Sequence, residues 1–152
     1  MRRAFLAVIF GGIGACAIAG GSMGLAAAGT SGAIADGLRG AGQAPVVLLL
    51  FGGGNHEVFL GCLTCPEYDA GSVRNRLGLH GSAYSSMSIL NPFGRFGSPS
   101  SALSPCNPSA LHAPVIVDRE GRSYGELTVN ESNSRRTRIE FLRGWLAAVC
   151  RH

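Results

Sequence analysis

Residues 72–87, SVRNRLGLHGSAYSSM, and residues 88–103, SILNPFGRFGSPSSAL, carry Ser, Asn, Gly, Gly-Ser and Ser at matching offsets. A third unit opens at Ser104 as SPCNPSALHAP and keeps Ser104 and Asn107, with Ala110 and Ala113 where the earlier units have glycine. Asn75, Asn91 and Asn107 are thus spaced by sixteen residues, which is neither a helical period nor a strand alternation. Asn and Ser side chains bond to backbone groups just downstream and stand in for a turn, and Gly at 78, 81, 94 and 97 closes turns that other residues resist. The pattern predicts two turns per unit joined by a short extended piece, with Val73/Ile89 and Leu77/Phe93 pointing into a shared core. Ser/Gly/Pro-rich segments without such apolar spacing stay disordered. The regular Leu, Ile and Phe predict an ordered block instead.

Two related segments flank it. APVVLLLFGGGNHEVFLGCLTC, residues 44–65, and APVIVDREGRSYGELTVN, residues 113–130, each open with Ala-Pro-Val and break at a polar, Gly-containing centre. Each then resumes with an aromatic residue and a Gly before Leu-Thr. Leu60 to Thr64 aligns with Tyr124 to Thr128 at an offset of 64, four of the sixteen-residue units. The apolar, β-branched runs and their turn centres predict two β-hairpins, DREG making the tighter turn and GGGNHE the looser. Ile139, Leu142, Trp145, Leu146 and Val149 recur at helical spacing, so a short amphipathic helix closes the chain. The expected class is mainly β, a small α+β domain over 44–152: two hairpins, a sixteen-residue Asn/Ser/Gly turn repeat between them, and a short C-terminal helix.

The first 28 residues read as a leader. Arg2 and Arg3 precede an uncharged apolar stretch that runs to Asp36, the pattern of an export signal. IGAC at 13–16 would make Cys16 a lipidation site, AAA at 26–28 fits cleavage before Gly29, and an uncleaved anchor is the third route. Residues 29–43 then form a flexible linker. Without Arg2 and Arg3, 11 Arg face 9 acids, a net +2 that lacks the clustered excess of a nucleic-acid binder. The one local cluster, Arg135-Arg136-Thr137-Arg138, has Glu131 and Glu140 close by and reads as a solvated basic turn.

Beyond Cys16 four cysteines remain, and an even set in a small exported domain predicts two disulfides among Cys62, Cys65, Cys106 and Cys150, in any of three pairings. The same four are the alternative zinc set, although a second CxxC is missing. Cys62-Leu63-Thr64-Cys65 also has the spacing of a redox dithiol, which needs a helix starting near Pro66 to stabilise its thiolate. His80 and His112 share a repeat position with Phe96, which reads as a place for a flat, partly buried ring more than for a metal ligand. His56-Glu57 has Leu60 where a zinc-protease motif needs a second His, and neither a phosphate loop nor a GxSxG elbow occurs. Acids are too sparse near the repeat for a calcium cage.

With these pieces in order, the chain resembles a family of exported bacterial proteins of uncertain function. Its members carry a YLGxL strand, SxxNPYGxYGSxYS turn repeats and a PPVIxDxxGxxYGxLTVN closing hairpin. FLGCLTCPEYD, the units at 72–103 and APVIVDREGRSYGELTVN are the matching pieces, spanning residues 46–130. Leu77, His80, Phe93 and Phe96 stand where the family has Tyr, and Pro99-Ser100 replaces Pro-Tyr. The resemblance implies an exported address and a fold, and transfers no catalytic residue. The expected function is a non-enzymatic envelope or extracellular module, structural or ligand-binding, whose partner is an envelope component or a small ligand. No cofactor and no nucleic acid enter this reading, and a membrane only through the N-terminal segment. A thiol-redox or metal-dependent protein centred on Cys62 and Cys65 is the alternative.

Overall fold

The computed structural model describes residues 45–151. Cys16, the 1–28 leader and the 29–43 linker lie outside the described residues. Four strands form one antiparallel sheet: β1 (Leu48–Gly52), β2 (Val58–Cys62), β3 (Val115–Asp118) and β4 (Ser123–Glu126), in the order β2-β1-β3-β4. A helix, α1 (Glu140–Val149), follows. The fold is therefore mainly β, two hairpins and a short C-terminal helix, as the residue pattern predicts. Among the described residues no helix is long and apolar enough to cross a membrane.

The hairpins repeat each other in detail. Leu49 pairs with Cys62 and Val115 with Glu126, and each hairpin shifts register just beyond that pair, between Leu50 and Phe51 and between Val115 and Val117. Leu49 is thus the counterpart of Val115, an offset of 66. Leu50 and Ile116 are counterparts that also face each other across the β1–β3 pairing. A pseudo-twofold axis therefore passes between these two residues. The Ala-Pro-Val triplets do not superpose, since the pairing matches Leu48 with Pro114 through Leu63 N–H to Leu48 O (2.8 Å) and Leu127 N–H to Pro114 O (2.7 Å). Backbone pairing, not the triplet, sets the register.

Beyond β2 and β4 the chain also turns alike. Cys62 N–H donates to Gly71 O and Cys62 O accepts Val73 N–H, at 2.7 and 3.1 Å; Glu126 does the same with Arg135 O and Thr137 N–H at 2.7 and 2.8 Å. Gly61 and Gly125, beside these residues, have φ of 121° and 88°. A Cβ on Gly61 would lie 2.8 Å from the Val73 side chain, and one on Gly125 at 2.7 Å from Arg135 O. Both positions combine a left-handed backbone with a crossing chain, which only glycine meets. The first copy then runs on in turns to β3. The second stops at Thr137, and α1 takes over.

Leu48, Leu50, Leu60 and Ile116 line the covered face of the sheet, with Val73, Ile89 and Phe96 from the turn block and Leu142 and Leu146 from α1 packed on it. Each is 3% exposed or less. Cys106 of the turn block is bonded to Cys150 at the end of α1, and Cys62 to Cys65. The two bonds fit an oxidising, exported environment. They also correct the zinc alternative: the four cysteines form separate pairs and no common cage.

Candidate functional site

Between the hairpins the backbone is a coil of consecutive turns. The N–H of Ser72, Asn75, Gly78, Ser82, Ser85 and Ser88 each bonds to the carbonyl of the preceding member (Asp69 for Ser72) at 2.9–3.3 Å. From Ser72 to Ser88 this makes five turns, one of which spans an extra residue. The same order recurs from Ser88 through Asn91, Gly94, Ser98 and Ser101 to Ser104. Two turns with an extended piece between them were expected; no extended piece is present, because the side chains secure every corner. Oγ of seven serines between Ser72 and Ser104 accepts the N–H two residues on, at 3.0–3.3 Å. Oδ1 of Asn75, Asn91 and Asn107 does likewise at 3.1, 3.0 and 2.8 Å.

The three asparagines also reach back. Their Nδ2 donates to Asp69 O, Ser85 O and Ser101 O at 3.2, 3.1 and 3.0 Å, always six residues earlier. Gly81 and Gly97 lie against the backbones of Asn75 and Asn91, again six residues back. A Cβ on Gly78 or Gly94 would lie 3.0 or 3.1 Å from the same asparagine side chains. None of these four needs a positive φ. They are glycine because the coil closes on itself.

Which side chains face in follows from this winding. Ser72, Ser88 and Ser104 are buried, as are Val73, Ile89 and Pro105 beside them. His80 and Phe96 are buried at the shared ring position, His80 edge-on to Phe59 with 4.9 Å between ring centres, while His112 stands exposed. Leu77 and Phe93 do not enter the core: they are 98% and 95% exposed. Each occupies the third place of an Asn turn, with its N–H held by the Asn side chain, so its own side chain projects outward. Tyr68 and Tyr84, again sixteen apart, are 85% and 95% exposed. These outward columns were missed because apolar character alone argues for burial; the place within the turn was the available signal.

A hollow of about 320 Å³ lies beside Tyr84, lined by Arg76, Gly81, Ala83 and Leu90. A larger one of about 510 Å³ adjoins the Cys62–Cys65 disulfide, lined among others by Val46, Cys65, Tyr68 and Arg119. The Cys65 carbonyl there accepts the Arg74 guanidinium at 2.6 Å, and Thr64 clamps Val46 and Leu48 through its hydroxyl. Pro66 opens a turn to Asp69, not a helix, so no helix N-terminus adjoins Cys65 to favour a thiolate. Among the described residues no three His, Cys, Asp or Glu come together as metal ligands.

The buried ionisable groups serve the scaffold. Burial pushes the Asp118 carboxyl up, but bonds from the Arg122 backbone and guanidinium and from the Tyr124 hydroxyl outweigh it and hold it below its ordinary value. Glu126 accepts from Arg135 and Asn133, at 2.9 and 2.8 Å, so Arg135 of the basic turn pairs inward with Glu126. Arg136 approaches Glu131 at 3.8 Å. Burial lowers the His80 imidazole, only partly countered by the Met87 backbone, and its Nδ1 has no partner. No family model, no curated protein and no solved structure matches the chain, so the reading of its exposed columns rests on the residues themselves.

Proposed function

We propose that this chain is an exported, non-enzymatic module that contacts an envelope or extracellular component through the outer face of its turn coil. The observation that carries the reading is the pair of outward columns, Tyr68/Tyr84 and Leu77/Phe93, each 85% exposed or more. Large apolar side chains left in water gain nothing for folding, and their recurrence at the same place of a hydrogen-bonded repeat sets them apart from apolar residues scattered singly over a surface. The two disulfides support the exported address. Asp118 and Glu126, the buried acids, are taken up by structural bonds, which supports a scaffold role for the sheet.

Co-sedimentation of the disulfide-intact chain with a bacterial envelope fraction tests the reading. Retention that drops at least about fivefold in Tyr84→Ala/Phe93→Ala supports it, since these rings supply the contact. Equal retention of the parent and the double variant, or none of either, would remove the outer face from the function.

A further inference from the structure

The exposed columns also narrow the chemistry of what they meet, an inference that rests on the surface role just proposed. Tyr84, Leu77 and Phe93 sit on corners fixed by Ser82, Asn75 and Asn91, so their backbone is ordered before any ligand arrives. Preorganisation lowers the entropy cost of binding. Yet these are single side chains, sixteen residues apart within a column and nine apart from Tyr84 to Phe93, set among Arg76, Ser85, Ser86 and Arg95. A folded protein partner needs roughly 800 Å² on each side with a fully buried apolar centre. The columns offer separate platforms instead.

Charge decides among the polymers that can use separate platforms. Between residues 66 and 112 the charged side chains are Glu67, Asp69, Arg74, Arg76 and Arg95, a net +1 over the whole coil. Nucleic acids and acidic polysaccharides are bound by clustered cations, and this face has none. A near-neutral surface of aromatic platforms set among hydroxyls and amides matches an uncharged polymer whose units have one apolar face and polar edges. Pyranose rings have that form: the axial C–H face stacks on an aromatic ring, and the equatorial hydroxyls bond to hydroxyl side chains such as Ser. Ser82, Ser85 and Ser98, which are not buried, each spend the oxygen on a backbone N–H and keep the O–H to donate.

We propose that the outer face of the turn coil binds a linear, uncharged glycan, with Tyr84 and Phe93 as stacking platforms and the hollow bounded by Arg76, Tyr84 and Leu90 seating one sugar ring. Repeated platforms along one coil then engage successive parts of one polymer, and affinity rises with chain length through linked contacts.

Affinity electrophoresis through gels cast with a β-1,3-glucan, a β-1,4-glucomannan or a dextran, beside an alginate gel, tests the class. The disulfide-intact chain should be retarded in at least one uncharged gel, and high salt should leave the retardation in place. Tyr84→Ala and Phe93→Ala should each weaken it by roughly tenfold, the loss of one ring contact, while Tyr84→Phe retains it. An unchanged thermal midpoint in each variant shows that the fold is intact, as expected for residues 95% exposed. Retardation only by alginate and abolished by salt, retardation indifferent to both alanine variants, or none in any uncharged gel overturns the glycan proposal. If envelope co-sedimentation persists in that last case, the surface role stands and only the ligand class falls; if both fail, both fall.

Discussion

Adding one methyl group at Gly81 tests how the coil is built. A Cβ there would lie 2.6 Å from Asn75 C and 2.8 Å from Asn75 N, and closer still to Asn75 O. Non-bonded carbons rest at about 3.5–4.0 Å, so the overlap is on the order of 1 Å and is directed at backbone. Asn75 cannot give way freely, since Ser72 O, Gly78 N–H, Asp69 O and Leu77 N–H all hold it. Relief means opening the rung: about 1–3 kcal/mol of overpacking and about 2 for two lost hydrogen bonds, less about 0.4–1 regained from a stiffer unfolded chain. The net loss is about 2–4 kcal/mol, a large share of the ~5–15 that holds a domain together. At about 4 °C per kcal/mol the thermal midpoint of Gly81→Ala should fall by roughly 10–15 °C with both disulfides intact. Gly97→Ala should behave alike, with Ile89 O at 2.7 Å and Asn91 C at 2.9 Å. Gly54, with nothing within 4 Å of its Cβ, is the control, and Gly54→Ala should stay within about 0.5 kcal/mol of the parent. A Gly81→Ala midpoint within about 2 °C of the parent would refute the close-winding account.

The disulfides should differ in weight. Cys106–Cys150 closes a separation of 44 residues and Cys62–Cys65 one of 3, so loop entropy assigns about 4 and about 2 kcal/mol; urea midpoints of Cys106→Ala/Cys150→Ala and Cys62→Ala/Cys65→Ala should rank in that order, with matching peptide pairs in non-reducing mass spectrometry. His80 is held neutral in the fold, below its usual 6.5, so its contribution is complete above pH 6.5 and is lost as pH falls from there through its lower folded value. His80→Phe, which copies Phe96, should flatten stability over that window, and an unchanged pH slope would reject the assignment. Asp118 contributes in full above the usual carboxylate value of 3.8 and loses it as pH falls through its depressed folded value, so Asp118→Asn should lower the midpoint at neutral pH and much less at acid pH. Gly144→Ala, on the exposed side of α1 with open space around its Cβ, should raise stability by about 0.5–1 kcal/mol, seen as a higher thermal midpoint.

Local chemistry made the hairpins and α1 legible before any coordinates. Leu48 and Leu50 alternate with half-exposed neighbours along β1, and Leu142 and Leu146 share one face of α1, so period and burial agree. The coil was legible only in part. Ser, Asn and Gly identify turns, but not how many fit between two asparagines, because that number depends on which residue accepts each N–H. Leu77 and Phe93 were misplaced for a related reason: composition gives them the hydrophobicity of core residues, whereas a turn corner gives them a direction. Val73 and Ile89 have the same chemistry and point inward, one residue past a buried Ser. The Leu60–Thr64 and Tyr124–Thr128 match holds in the structure because Gly61 and Gly125 each meet a crossing chain, whereas the Ala-Pro-Val triplets meet no such constraint and do not superpose.

The pseudo-twofold sheet links these observations. Each hairpin launches the same turn run: Asp69 and Asn133 occupy equivalent corners, their side chains accepting the N–H of Gly71 and Arg135 at 2.7 and 2.8 Å. After the second hairpin, α1 brings Leu142 and Leu146 to the shared core; after the first, Val73, Ile89 and Phe96 do so from the coil. Cys106–Cys150 joins the two solutions covalently. The coil's inner residues therefore serve the core, and its outer ones are released from that duty. The two full units repeat both at once: Val73 and Ile89 turn inward while Leu77 and Phe93 turn outward. The outer position can therefore change, as from Leu77 to Phe93, without touching the core.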